Sequence, residues 1–292
     1  MKKILLCSDG STFAESTYRY GAWFATHLQA EVDVLCVSDI RGQQTSKQNL
    51  SGSIGIDAKE NLLNRLVELE HEKAKINHQR TKLVLQEAAK TLKAKGVDRI
   101  NLLHETGFLV DCLDKFEASC DLVVIGKRGE AAEFASGHLG ANIERIVRSS
   151  HKSCLVTSDR FKPIERVLIA YDGSPSSQKI LQFIADSSIF EGLELHIVTA
   201  TESAADAAMP SASFAIAQIE SAKQWLQQTG FEPVCSAIEG HSENAISSYV
   251  AEHDISLLLM GAYGHSRIRH LVIGSTTAQM LRSSQIPVLL FR

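Results

Sequence analysis

Two patterns of apolar positions alternate along this chain. One is a short continuous run: Ile4-Leu5-Leu6-Cys7, Leu122-Val123-Val124-Ile125, Val167-Leu168-Ile169-Ala170 and Leu257-Leu258-Leu259-Met260. Continuous runs of this length, rather than strict alternation, mark strands buried on both faces. The other is a longer segment with apolar residues at helical spacing. In the second half the pattern predicts strands over Val167–Ala170, Leu195–Thr199, Val234–Ala237, Ser256–Met260 and Val288–Phe291. Between them it predicts helices over Ser176–Ser188, Ser211–Thr229, Glu243–Glu252 and Thr276–Ser284, with Pro175 suited to the first turn and Gly230 to a helix stop. Strands alternating with helices in this way predict an α/β fold, an open parallel sheet covered on both faces.

The pattern is also written twice. Ile4-Leu5-Leu6-Cys7-Ser8-Asp9-Gly10-Ser11 matches Val167-Leu168-Ile169-Ala170-Tyr171-Asp172-Gly173-Ser174, and Leu122–Gly129 matches Leu257–Gly264. Gly140-Ala141-Asn142 through Ser150 matches Gly274-Ser275-Thr276 through Ser284. Such self-similarity predicts two copies of one module: a first domain over residues 1–158 and a second over 164–292, joined near Pro163. The last strands, Cys154–Thr157 and Val288–Phe291, are apolar edges that invite pairing with each other, so the copies are expected to pack as an internal pseudo-dimer.

The chemistry concentrates where the second copy carries Gly261, Gly264 and Gly274, followed by Ser275 and Thr276. Glycines let another group approach the main chain, and the N–H groups at a helix start favour anions. A tight strand-to-helix connection with no ligand accounts for the same glycines. Ligands in open parallel sheets bind beyond the carboxyl ends of strands where the strand order reverses, and Asp172 and Gly261 both follow strands.

With these residues in hand, the chain resembles a tandem universal stress protein over essentially its full length. Gly261, two residues, Gly264, nine residues and Gly274-Ser275 reproduce the family's nucleotide motif. The resemblance implies two Rossmann-like domains of the adenine-nucleotide alpha hydrolase-like kind, and ATP bound by the second. It places the ribose near Asp172, the adenine against the end of the second strand at about Ala200, and the phosphates on the 261–276 loop and the hydroxyls of Ser275 and Thr276, with Ala170 and Met260 also in the cofactor-binding set. His265, Arg267 and Arg269 add cationic character, as phosphate contacts or as solvated loop residues. The first copy departs from the motif. It has ten residues between Gly129 and Gly140, then Ala141, and its loop carries Glu130 and Glu133. A lost hydroxyl and like charge both oppose phosphate there, which predicts a degenerate half-site, although Lys127 and Arg128 act in the opposite sense.

The first copy also holds an apparent insertion at about 41–95: a Gly-, Ser- and Gln-rich stretch from Arg41 to Asp57, then a long or twice-broken helix from Lys59 to Lys95. It reads either as an arm for dimerisation or partner docking, or as an amphipathic helix lying on its own domain. Composition narrows the rest. A net charge of −4 gives no reason to expect nucleic-acid or anionic-membrane binding. The start, MKKILLC, is too short in apolar residues for a signal segment, and no run reaches transmembrane length. Six cysteines without a C-x-x-C pair suit small buried hydrophobes in a reducing cytoplasm. His71 with His78, and Cys112 and Cys120 with His104, lack recognised ligand spacings, so no metal is expected. No catalytic motif is present, and the expectation is no enzyme, at most slow ATP hydrolysis. The favoured function is an ATP-binding stress-response or signalling module with a homodimer or a protein as partner. A non-nucleotide scaffold or small-ligand sensor with a vestigial glycine loop is the alternative.

Overall fold

A computed structural model describes residues 2–39, 56–129, 141–201, 212–263 and 273–292. The first copy runs β1 (Lys3–Ser8), α1 (Ala14–Leu28), β2 (Glu31–Asp39), α2 (Ile56–Ala94), β3 (Ile100–Gly107), α3 (Leu109–Glu117), β4 (Leu122–Gly126), α4 (Ala141–Ser149) and β5 (Ser153–Thr157). The second runs β6 (Arg166–Ala170), α5 (Pro175–Ala185), β7 (Glu194–Thr201), α6 (Ala212–Gln228), β8 (Val234–Glu239), α7 (Ser242–Glu252), β9 (Leu257–Gly261), α8 (Ser275–Ser283) and β10 (Val288–Phe291).

All of these described strands share one ten-stranded sheet in the order β3-β2-β1-β4-β5-β10-β9-β6-β7-β8. Neighbours are parallel except at the centre, where β10 runs antiparallel to β5 with Val288 opposite Val156, Leu289 opposite Leu155 and Leu290 opposite Cys154. The two copies therefore pack as the expected pseudo-dimer, each hiding the other's apolar edge. Leu155 and Leu289 are fully buried.

Alternation along the strands builds two core layers. Leu6, Ile169, Leu259 and Leu289 face one side with Tyr18, Leu85, Ile180 and Ile219 from α1, α2, α5 and α6. Leu5, Val123, Leu168, Leu258 and Leu290 face the other with Leu113, Ile146, Ile246 and Met280 from α3, α4, α7 and α8. Both faces are covered, which is why the strands read as continuous apolar runs.

Four elements differ from the expectation, among them β8, which runs on from Ala237 to Glu239. The helix predicted to Ser188 stops at Ala185, and a 3-10 turn over Ser188–Phe190 carries Phe190 into the core. Strand β7 continues to Thr201 because β8 goes on pairing with it, Thr201 opposite Glu239. The long helix α2 is unbroken from Ile56, a start inside the stretch expected to be loop. Its last part corresponds to α6: each joins the second strand of its copy to the third, and the steps from Ala94 to Ile100 and from Gln228 to Val234 are equal. The surplus length lies at its N-terminal end.

Candidate functional site

The sheet order reverses beside β1 in the first copy and beside β6 in the second, since β6 lies between β7 and β9. A crevice opens at such a point at the carboxyl ends of the strands. Ile169 stands opposite Leu259, so the chain leaving β6 through Ala170 to Asp172 lies beside the chain leaving β9 through Met260 and Gly261. Asp172 Oδ1 accepts the Ser174 N–H at 3.0 Å, and Gly173 takes a left-handed φ of +73° that closes the turn. Ser174 then caps α5 by accepting the Ser177 N–H, with Pro175 in the first turn as expected. Tyr171 N–H donates to Val198 at 2.9 Å and Thr199 Oγ1 to the Tyr171 carbonyl at 2.7 Å, which locks this turn to β7. Ala200 follows on that strand, opposite Ile238.

On the other wall, Ala262 N–H donates to Phe291 at 2.8 Å, Gly274 N–H to Ala262 at 3.3 Å, and Thr277 Oγ1 to the Gly261 carbonyl at 2.9 Å. The two ends of the glycine loop are thus pinned together at the start of α8. Gly264 and His265 lie outside the described residues, as do Arg267 and Arg269. Ser275 is exposed and Thr276 half-buried in the first turn of α8, where backbone N–H groups have no partner within the helix. Thr277, whose hydroxyl joins the loop to the strand, was not singled out from the sequence. A polar residue on the buried side of a helix start was the available signal.

The glycines act differently from what their spacing suggests. Gly274 has φ −54° and ψ 141°, a conformation open to any residue, so the backbone itself does not require a glycine there. Its N–H is engaged in loop closure, and the N–H groups of Ser275 and Thr276 follow it in the first turn, without a partner inside the helix. At Gly261 a Cβ would stand 3.2 Å from Ser176 Cβ, so this glycine admits helix α5.

The first crevice repeats the skeleton. Asp9 Oδ1 accepts the Ser11 N–H at 2.9 Å and Gly10 has φ +71°. Its surroundings differ. A Cβ at Gly129 would meet the Asp9 carboxylate, and one at Gly10 would overlap Val84 of α2, where Gly173 instead faces the Gln218 amide of α6. The cations whose direction the sequence left open point elsewhere. Lys127 Nζ donates to the Ser284 carbonyl of the second copy at 2.7 Å, and Arg128 pairs with Asp159 at 3.2 Å. Burial holds the Lys127 ammonium below the ordinary lysine range. In return Tyr263 of the second copy donates to the Arg148 carbonyl of the first at 3.4 Å.

Other clusters are structural. His104 Nε2 lies 3.0 Å from Ser38 Oγ with its ring 5.2 Å from that of His78, and burial lowers its pKa. His196, which the sequence did not mark, is buried with Nδ1 2.9 Å from Tyr249 Oη and Nε2 3.1 Å from Glu194; burial again lowers its pKa. Among the described residues no group of three or more His, Cys, Asp and Glu could hold a metal ion. None of the described helices is long and apolar enough to cross a membrane.

The model of the universal stress protein family matches residues 1–158 and 163–292. A universal stress protein of Synechocystis sp., Slr1230, is 54% identical over 293 residues, covering all of both chains. Two solved structures share the fold. A universal stress protein from Archaeoglobus fulgidus superposes with a TM-score of 0.69 at 20% identity, over 99% of this chain and 98% of that one. A putative universal stress protein from Pseudomonas aeruginosa gives 0.66 at 15% identity, over 100% and 93%.

Proposed function

From the premise that the chain belongs to the universal stress protein family, we propose that it is an ATP-binding module acting in stress response or signalling. The nucleotide is held by the second domain, residues 164–292, and the first, 1–158, keeps a degenerate half-site. The observation that carries this reading is the placement of Asp172 and Gly261 at the carboxyl ends of neighbouring strands where the sheet order reverses, with the start of α8 tied to the Gly261 carbonyl. Asp172 takes the ribose, and Ala170, Ala200 and Met260 flank the adenine. The loop through Gly261, Gly264 and His265 to Gly274, with the N–H and hydroxyl groups of Ser275 and Thr276, takes the phosphates. The partial positive charge of a helix start and the N–H groups of Ser275 and Thr276 suit an anion there.

In this reading the module binds rather than turns over, with at most slow ATP hydrolysis, and a second copy or a protein partner reads its nucleotide state. All six cysteines are free thiols, five of them buried. Burial pushes Cys36 and Cys120 up to about 11 and Cys154 up to about 12. Unreactive buried thiols of this kind support a cytoplasmic setting.

One observation favours the alternative, a scaffold or small-ligand sensor with a vestigial loop: the glycine at 261 is accounted for by Ser176 and the Tyr263 carbonyl within the chain. Mass spectrometry of the denatured protein after gentle purification separates the two. Co-purified adenine nucleotide supports the first reading. Its absence, with no heat on titrating ATP, leaves the second.

A further inference from the structure

Helices α2 and α6 hold matching places in the two copies, and each lays one side chain on the turn that opens its crevice. Val84 covers Gly10, and Gln218 covers Gly173. Each stands ten residues before the end of its helix, at Ala94 and at Gln228. Because α6 follows β7, its early turns lie at the carboxyl ends of the strands, and Gln218 is in the second of them. A Cβ at Gly173 would lie 2.8 Å from the amide carbon of Gln218 and 2.9 Å from its oxygen, with the nitrogen nearer still. The amide therefore rests on the residue next to Asp172.

Matching places carry different chemistry. In the first copy the cover is apolar, and one turn earlier Arg80 donates to the Asp9 carbonyl at 3.5 Å. In the second the cover is an amide, and the place of Arg80 is taken by Phe214, which is 55% exposed. Gln218 is half-buried, and among the described residues neither its nitrogen nor its oxygen has a hydrogen-bond partner. An amide held partly out of water without a partner is unfavourable. Packing does not demand one here, since Val84 fills the same place in the first copy. A ligand that supplies the partner accounts for it. A side-chain amide offers two N–H donors and a carbonyl acceptor, which suits a hydroxyl that both donates and accepts.

We propose that Gln218 is a nucleotide contact of the second domain, hydrogen-bonding a hydroxyl of the ribose so that the site reads the sugar. The proposal rests on the reading that this domain holds an adenine nucleotide with its ribose at Asp172. Asp172 then meets the sugar from the turn, and Gln218 meets it from the helix laid over that turn. Val84 has no polar atom to offer, so the first crevice lacks this contact.

Calorimetric titration of the full chain with ATP, 2′-deoxy-ATP and 3′-deoxy-ATP tests it, because a site built to bond a hydroxyl rejects the analogue without it. The parent protein is expected to bind one of the two analogues about tenfold more weakly than ATP. Gln218→Val lowers ATP affinity to the level of that analogue and leaves the analogue's own affinity unchanged. Gln218→Leu, closer in size, does the same. Neither lowers the melting temperature of the ATP-free chain, since an apolar side chain already serves at Val84. Variants that bind ATP as the parent does overturn the proposal. So do equal losses for all three nucleotides, which a merely structural amide would give. A parent protein that binds no adenine nucleotide overturns the underlying reading itself, and is told apart from these outcomes by the first titration.

Discussion

The two crevices of this chain share a backbone and differ in what stands over it. Asp9 and Asp172 make the same turn with the second residue on, and Gly10 and Gly173 have the same left-handed φ. Yet Val84 covers the first turn where the Gln218 amide covers the second. The first copy's Lys127 and Arg128 are held by Ser284 and Asp159 rather than by anything in their own crevice. A repeat keeps its strand-loop-helix skeleton because the core demands it. Its side chains are then free to differ, and in the first half Lys127 serves the contact between the copies.

The sharpest way to break this comparison is at the two loop ends. Gly274→Val should lower ATP affinity by at least about 100-fold, about 2.7 kcal/mol, by filling the space in front of the α8 start. Gly140→Val should leave it nearly unchanged. Calorimetric titration reads both, with one ATP per chain in the parent protein. A stoichiometry of two, or equal damage from both substitutions, would mean that the copies are functionally alike.

Ser275→Ala should weaken binding by roughly 0.5–1.5 kcal/mol, or up to about 3 where the hydroxyl meets a charged oxygen. The reciprocal Ala141→Ser should not create a second site, because the Asp9 carboxylate lies against Gly129 there. Titration of the two variants side by side gives the answer, and a gained site in the second would sink the occlusion account.

Thr277→Val removes the hydroxyl that holds the Gly261 carbonyl and should cost about 1 kcal/mol in urea unfolding. Ile143→Thr at the matching place in the first copy puts a hydroxyl where an apolar side chain is 4% exposed, and should also destabilise. Should Thr277→Val prove neutral while Ile143→Thr is tolerated, the loop ends would be interchangeable.

The smallest effect is on pH. The folded state holds His104 and His196 below their ordinary pKa, each chiefly through burial. The unfolded chain therefore binds more protons at mildly acid pH. Their contribution to stability is fully present above about 6.5 and is lost as pH falls through the folded values. Urea melts at descending pH should show this loss, and His196→Gln should flatten it in the second copy only. A profile that His196→Gln leaves unchanged would remove that residue from the account.

Much of this was legible in the residues. Continuous apolar runs gave a parallel sheet covered on both faces, the repeat gave two copies, and the edges at Cys154–Thr157 and Val288–Phe291 gave the seam between them, since each of these follows from local patterning. Positions that depend on neighbours remote in the chain were not legible. Gly261 answers to Ser176, Gly274 needs no special angle, Thr277 supports a carbonyl sixteen residues back, and Lys127 reaches across to Ser284. For α2 the sequence determined a long helix with an apolar stripe. Only the tertiary structure decided which part of it lies on a core and which part is left facing outward, because burial is a property of the packed assembly and not of the helix that enters it.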